Sequence, residues 1–282
     1  MQHIEFFHTD HFERNYHRTP PPLALAPFID FFWETDFDEL WHKYPAGFSD
    51  TLFPNIGYTY IINLGTPFVM QLSDKKFDMK NDGFLPRHKA IECHHSVGNK
   101  LFGIKFRVSP IIYERKINFS EYREYIFPLS YLLDQSVVAE VKKAGSFEER
   151  RNIFANYFLS QLARYEGSLK YVGIVLELID KSFQKNDFIT SVETHAANYK
   201  ISTRTLQRYF EITTGFGCKK ALQIMRIRKA VSQIANAPEE FTYETYGYYD
   251  HSHFYKHLRQ FLDDNNTLKN IQPHLEMLKK LR

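Results

Sequence analysis

The chain has 282 residues, 43% of them hydrophobic and 24% charged, with a formal net charge of +3. That length suits two ordinary domains better than one; a mean hydropathy of −0.43 and the lack of any apolar run near about 18 residues leave no membrane span. Two cysteines, Cys93 and Cys218, support no disulfide framework, and Met1–His8 has neither a basic n-region nor an apolar h-region, so the protein is expected to be cytoplasmic.

Pro20-Pro21-Pro22 marks an extended start, and Leu23–Trp33 reads as a short helix or strand dense in aromatics. Strands are expected at Tyr58–Leu64, Phe68–Leu72, Ala90–Val97 and Leu101–Val108, with Gly65-Thr66-Pro67 as a break and Gly98-Asn99-Lys100 as a hairpin connection. Strands at this spacing predict a small antiparallel barrel or sandwich, cupin-like in type. From Ile111 the period becomes helical: Ile126–Leu133, Val137–Val141 and Ile153–Leu162 carry apolar residues at three- and four-residue steps, with Gly145-Ser146 between two of them. Glu166-Gly167-Ser168 reads as a boundary, Ser168 capping a helix whose face is Val172, Val175, Leu176, Ile179 and Phe183. The fold class expected is α+β: a β-rich unit over 1–165 with trailing helices, then an all-α unit over 166–282. Charge divides at the same place, with 19 basic and 20 acidic residues before it and 17 and 13 after it.

Within the second unit, Ser191–Ala197 predicts one short helix, Asn198–Ile201 a turn, and Ser202–Phe210 a second helix opened by an N-cap serine. Val192 and Ala196 offer a small apolar face to Leu206 and Phe210, so the two helices cross closely through a short turn, as a helix-turn-helix does. The face left free carries Thr203, Arg204, Gln207 and Arg208; arginine can pair bidentately with guanine and glutamine with adenine. From Lys200 to Lys229 eight Lys/Arg stand against the single acid Glu211, so positive charge is concentrated where the second helix is. Lys219–Asn236 predicts a long helix ended by Ala237-Pro238; its eighteen residues span about 27 Å at 1.5 Å rise. Ile271, Leu275, Leu278 and Leu281 predict a last amphipathic helix.

Ile201–Phe210, Gly215, Arg226-Ile227-Arg228-Lys229-Ala230 and Gly247-Tyr248-Tyr249-Asp250-His251-Ser252-His253-Phe254 together resemble the AraC/XylS family of bacterial transcription regulators, over roughly Gly167–Leu262. The resemblance implies two helix-turn-helix units, joined by a long helix and entering successive major grooves of promoter DNA. Carried over residue by residue, it places Ser202, Thr203, Arg204, Gln207 and Arg208 in the first reading helix. His251, Ser252, Tyr255 and Lys256 fall in a second helix that begins near Asp250. The chain departs from the family at Phe241–Tyr246, where an apolar Ile-Ala pair is usual, and at Asp263-Asp264-Asn265-Asn266, where a Gly- and Pro-containing tail is usual. Phe28–Trp33, Phe53-Pro54-Asn55-Ile56-Gly57 and Gly103-Ile104-Lys105-Phe106-Arg107 resemble the sensor-like N-terminal domain of an AraC subgroup, although Val108-Ser109-Pro110 alters its last corner. That implies a small-molecule effector, with RNA polymerase and a second copy of the chain as further partners the resemblance admits.

Catalytic signals are missing: the sequence has no Gly-rich phosphate loop, nucleophile elbow or framed carboxylate pair, so neither an enzyme nor a cofactor is expected. Cys93-His94-His95 with nearby His88 is the cluster that invites a metal, but neighbours in a strand face opposite ways and no metal is expected there. In His251-Ser252-His253 the first and third residues diverge around the helix, which suits capping and phosphate contact better than ligation. The 26 Phe and 18 Tyr can fill a core or line an effector cavity. Two readings stand at this point: a ligand-responsive DNA-binding regulator, or a small-molecule binding protein or enzyme with a helical domain that no longer reads DNA.

Overall fold

A computed structural model describes residues 1–108, 125–262, 269–273 and 275–276. The first half forms two sheets. One has the order β1-β4-β9-β6-β7, built from β1 (Gln2–Ile4), β4 (Phe48–Leu52), β6 (Phe68–Leu72), β7 (Lys75–Met79) and β9 (Ile91–His95). The other has the order β11-β8-β5-β10-β3-β2, from β2 (Tyr16–Thr19), β3 (Ile29–Thr35), β5 (Tyr58–Asn63), β8 (Gly83–Pro86), β10 (Leu101–Phe106) and β11 (Phe127–Pro128). All pairings are antiparallel except β1 with β4. Two short helices, α1 (Thr9–Arg14) and α2 (Asp38–Lys43), lie between early strands.

The sheets make an open sandwich and not a closed barrel, and burial follows strand alternation. On β9, Ile91, Cys93 and His95 are buried while Glu92 and His94 are half-buried. The central strands β5 and β10 are buried on both faces. Ile61 and Leu101 face the inter-sheet core with Trp33, Phe68, Met70 and Leu85, whereas Tyr60, Ile62, Phe102, Ile104 and Phe106 face a helical layer. That layer is α3 (Gln135–Lys143) and α4 (Phe147–Arg164), whose Phe154 stacks on Phe102 at 5.9 Å between ring centroids. A two-covered sheet explains why these strands read as continuous apolar runs. Arg150 pins α4 to β3 through Nε to Glu34 Oε2 (2.6 Å) and Nη2 to Glu34 Oε1 (3.0 Å), both side chains buried.

Gly103 stands opposite Trp33, whose indole lies over it; a Cβ there would come within 2.1 Å of the ring. Gly103→Ala should therefore displace Trp33 and destabilise the protein by about 1–3 kcal/mol. Chemical denaturation checks this, and a wild-type midpoint would refute the contact.

The second half is helical: α5 (Lys170–Lys185), α6 (Val192–Asn198), α7 (Thr203–Thr214), α8 (Cys218–Asn236) and α9 (His251–Arg259). Helix α5 belongs to two cores, with Val172 and Leu176 in the helical layer on the sheet and Val175, Leu178 and Ile179 among the C-terminal helices. Among the described residues no helix is long and apolar enough to cross a membrane.

Three local expectations change. Gly98-Asn99-Lys100 is not a hairpin: β9 and β10 lie in different sheets, and the turn carries the chain across the sandwich. Ile126–Leu133 is not a helix, because Pro128 disfavours helical backbone at Phe127, which instead pairs with Phe84; a 3₁₀ turn at Leu129–Tyr131 follows. Leu23–Trp33 divides into a 3₁₀ turn (Leu23–Leu25) and the start of β3. Ile271 and Leu275 are buried with the C-terminal helices, whereas Leu278, Leu281, Asp263–Asn266, Ser109-Pro110 and the period change at Ile111 lie outside the described residues.

Candidate nucleic-acid interface

Helices α6 and α7 form the helix-turn-helix. Ser191 Oγ accepts from the Thr194 N–H (3.2 Å) and Ser202 Oγ from the Thr205 N–H (3.1 Å), so each helix starts on its own serine cap. Lys200, at φ 54, turns the chain between them, and Gly215, at φ 77, closes α7. Ala196, Leu206 and Phe210 are buried together, with Val192 partly buried against them. On the opposite side Ser202, Arg204 and Arg208 are exposed and Thr203 is half-buried.

Gln207 is placed differently from a free reader. Its Oε1 accepts from the Cys218 N–H at 2.9 Å and thereby caps α8. The oxygen half of a bidentate adenine contact is already committed to holding α7 against α8.

The basic run is also sorted by the fold. Arg228 donates from Nη2 to Glu5 Oε1 (2.8 Å) beside the sandwich. Lys229 donates to the Phe183 carbonyl and sits 4.6 Å from that residue's ring centroid. Arg226 donates from Nε to the Tyr246 carbonyl (2.6 Å) and from Nη2 to the Gly247 carbonyl, with its guanidinium 3.8 Å from the Tyr248 ring centroid. Lys220 lies 4.2 Å from the Phe261 ring centroid. Of the eight cations that mark this stretch, Lys200, Arg204, Arg208 and Lys219 are exposed to solvent.

In the second unit the supporting element is a single 3₁₀ turn, Glu244–Tyr246, packed through Phe241, Tyr243, Tyr246 and Phe254. Gly247 (φ 70) then reverses the chain, and Asp250 caps α9 by accepting from the His253 N–H at 2.8 Å. Ser252 and Lys256 are exposed on α9, while His251 and Tyr255 are half-buried and stacked on each other with centroids 5.7 Å apart. The Tyr248 hydroxyl meets His257 Nδ1 at 2.7 Å. Burial, with Arg226, Lys220 and His253 adding to it, pushes the His257 imidazole down to about 4, so it is neutral at neutral pH.

A cavity of about 100 Å³ lies between the two sheets. Its apolar wall includes Phe31, Trp33, Ile61, Leu85 and Leu101, and three guanidinium groups, Arg18, Arg87 and Arg228, line it with the Lys105 amine and the carboxylates Glu5 and Asp30. Lys105 Nζ donates to the Ile56 carbonyl at 2.7 Å; burial first, then Arg87, holds its amine well below the usual lysine range. Sequence reading missed Glu5, Arg18 and Arg87, because only the sandwich brings them to the segment of Lys105. His94 and His95 do face opposite ways: His94 is half-buried and contacts Ser49 Oγ (2.8 Å), and His95 is buried.

No protein-family model and no curated protein matches the chain. Among solved structures it is similar to ToxT from Vibrio cholerae, at 9% identity over 89% of this chain and 96% of that one with a TM-score of 0.41. It is also similar to unsaturated fatty acid bound ToxT from Vibrio cholerae (11% identity, 89% and 91% covered, TM-score 0.40). The AraC-like transcriptional activator CuxR is similar at 10% identity over 72% and 74% of the two chains, with a TM-score of 0.24.

Proposed function

We propose that the chain is a sequence-specific DNA-binding transcription regulator of the AraC/XylS type, with residues 166–282 as the DNA-binding unit and 1–165 as the regulatory unit. The observation that carries this reading is the division of α7: Leu206 and Phe210 are fixed in the core while Arg204 and Arg208 stand exposed beyond them, as a reading helix requires. In this reading Arg204 and Arg208 contact base edges, Ser202 and Thr203 flank them, and Gln207 holds the helix in place. Helix α9 is the second contact: Lys256 and Ser252 reach phosphates, with His251 and Tyr255 beside them. The sandwich cavity takes a small organic anion with an apolar body, its charge met by the cations at the wall and its body by the aromatic side.

Selecting binding sites from random duplexes tests the assignment. Arg208→Ala should relax base preference at one position by about 1–3 kcal/mol. Lys256→Ala should weaken all sequences alike and flatten the salt dependence by about one unit of slope. Wild type that shows no preferred sequence and no steep salt dependence would sink the regulator reading; an altered sequence preference with Lys256→Ala alone would make α9 the principal reader.

A further inference from the structure

Four side chains converge on one carboxylate in the N-terminal half. Asp50, on β4, is fully buried. His3 Nδ1 lies 3.3 Å and His11 Nε2 3.0 Å from its Oδ1, His95 Nε2 lies 3.4 Å from its Oδ2, and the Tyr16 hydroxyl donates to Oδ2. All three imidazoles are buried. Yet His3 Nδ1, His11 Nε2, His95 Nε2 and Asp50 Oδ1 make no hydrogen bond in line among the described residues, although each is within ion-pair range. A fully buried carboxylate ringed by imidazole nitrogens that do not align with it leaves several buried polar atoms unsatisfied, which a cation among them would satisfy.

We propose that His3, His11 and Asp50 form a binding site for a divalent first-row transition-metal ion of the Zn²⁺ class. The candidate ligand atoms all lie within 4.8 Å of one another. A tetrahedral ion with bonds of about 2.0–2.1 Å separates neighbouring ligand atoms by about 3.3 Å, and the two observed N···O distances are 3.0 and 3.3 Å. Two imidazoles and one carboxylate match the preferences of such an ion and leave a fourth position open. A groove between α1 and α2 of about 680 Å³, lined by His3, His11, Asp10, Glu39 and Tyr44, gives access.

Loading has a defined local cost. The His3 and His11 rings, stacked at 3.6 Å and 5°, fan apart so that both lone pairs point at the ion. For Nε2 to offer its lone pair to the ion, His11 carries its proton on Nδ1, so the contact of Asn15 Nδ2 with Nδ1 (3.2 Å) is given up while its bond to the His11 carbonyl (2.9 Å) is kept. His95 keeps its place: Asn99 donates from Nδ2 to the Thr66 carbonyl, so its Oδ1 accepts the His95 Nδ1 proton at 2.7 Å. Glu5, between the two histidine ligands in sequence, is the residue that grips Arg228 of α8, so metal occupancy anchors the segment that touches the DNA-binding half.

Titrating the full-length protein with Co²⁺ tests the site. One equivalent should bind with a visible ligand-field band, Zn²⁺ should displace it, and the melting temperature should rise with metal concentration. His3→Ala and His11→Ala, checked for folding by circular dichroism, should each lose at least about tenfold in affinity, while His94→Ala should bind as wild type. Wild type that takes up no Co²⁺ overturns the proposal, as does uptake unchanged in the His3→Ala, His11→Ala double variant, which would mark adventitious surface histidines.

Discussion

Arg228→Ala should destabilise the protein by about 1.5–3 kcal/mol, the range for a charged hydrogen bond, because the pair with Glu5 is only partly buried and Arg87 stays 3.8 Å from the stranded carboxylate. Among the described residues the pair is a polar link between the sandwich and α8. Besides Glu5, Arg228 donates to the Phe53 and Pro54 carbonyls at 3.4 and 3.3 Å, and its guanidinium sits 4.8 Å from the Phe6 ring centroid. Burial raises the Glu5 carboxyl, but Arg228 and Arg87 outweigh it and leave it below the ordinary value of 4.5. A depressed carboxyl contributes stability above its unfolded value and loses it as pH falls through the folded one. The gap between wild type and Arg228→Ala should therefore be full at neutral pH and close on acidification below the ordinary glutamate range. Urea midpoints across pH, with Glu5→Gln and the double variant closing a cycle, measure the coupling; additive single effects would show that the contact links nothing.

Phe210→Ala should cost about 3–5 kcal/mol and abolish the proposed DNA binding, which Arg208→Ala should only weaken. Phe210 is fully buried among Ala196, Leu206 and Ala221, so truncation opens a cavity at the crossing of α6, α7 and α8. Arg204 and Arg208 keep their places only while that crossing holds α7. Thermal unfolding and duplex binding by the same variant decide it. A Phe210→Ala protein that melts and binds as wild type would mean that α7 is not positioned by its packed face.

What the sequence determined by itself was whatever a few neighbouring residues decide. Ser191 and Ser202 cap their helices, Leu206 and Phe210 repeat at helical spacing, and Ala237-Pro238 ends α8 after nineteen residues, because capping and periodicity act within about two turns. The strands β5, β6 and β10 were legible as apolar runs between turn residues; β1 and β8, of three and four residues, and β4, with Ser49, Asp50 and Thr51 at its centre, were not. Partnership was decided only by the tertiary structure. Gly98-Asn99-Lys100 has the composition of a hairpin, and whether it joins paired strands or crosses between sheets depends on which strands β9 and β10 find elsewhere. The eight cations of Lys200–Lys229 look alike in sequence, but Arg226, Arg228 and Lys229 are drawn inward by carbonyls and by Glu5, more than 200 residues away along the chain. Asp50 gives no local sign of its role: His3, His11 and His95 reach it from three separate segments, and only a low-dielectric interior with few other partners makes their meeting consequential.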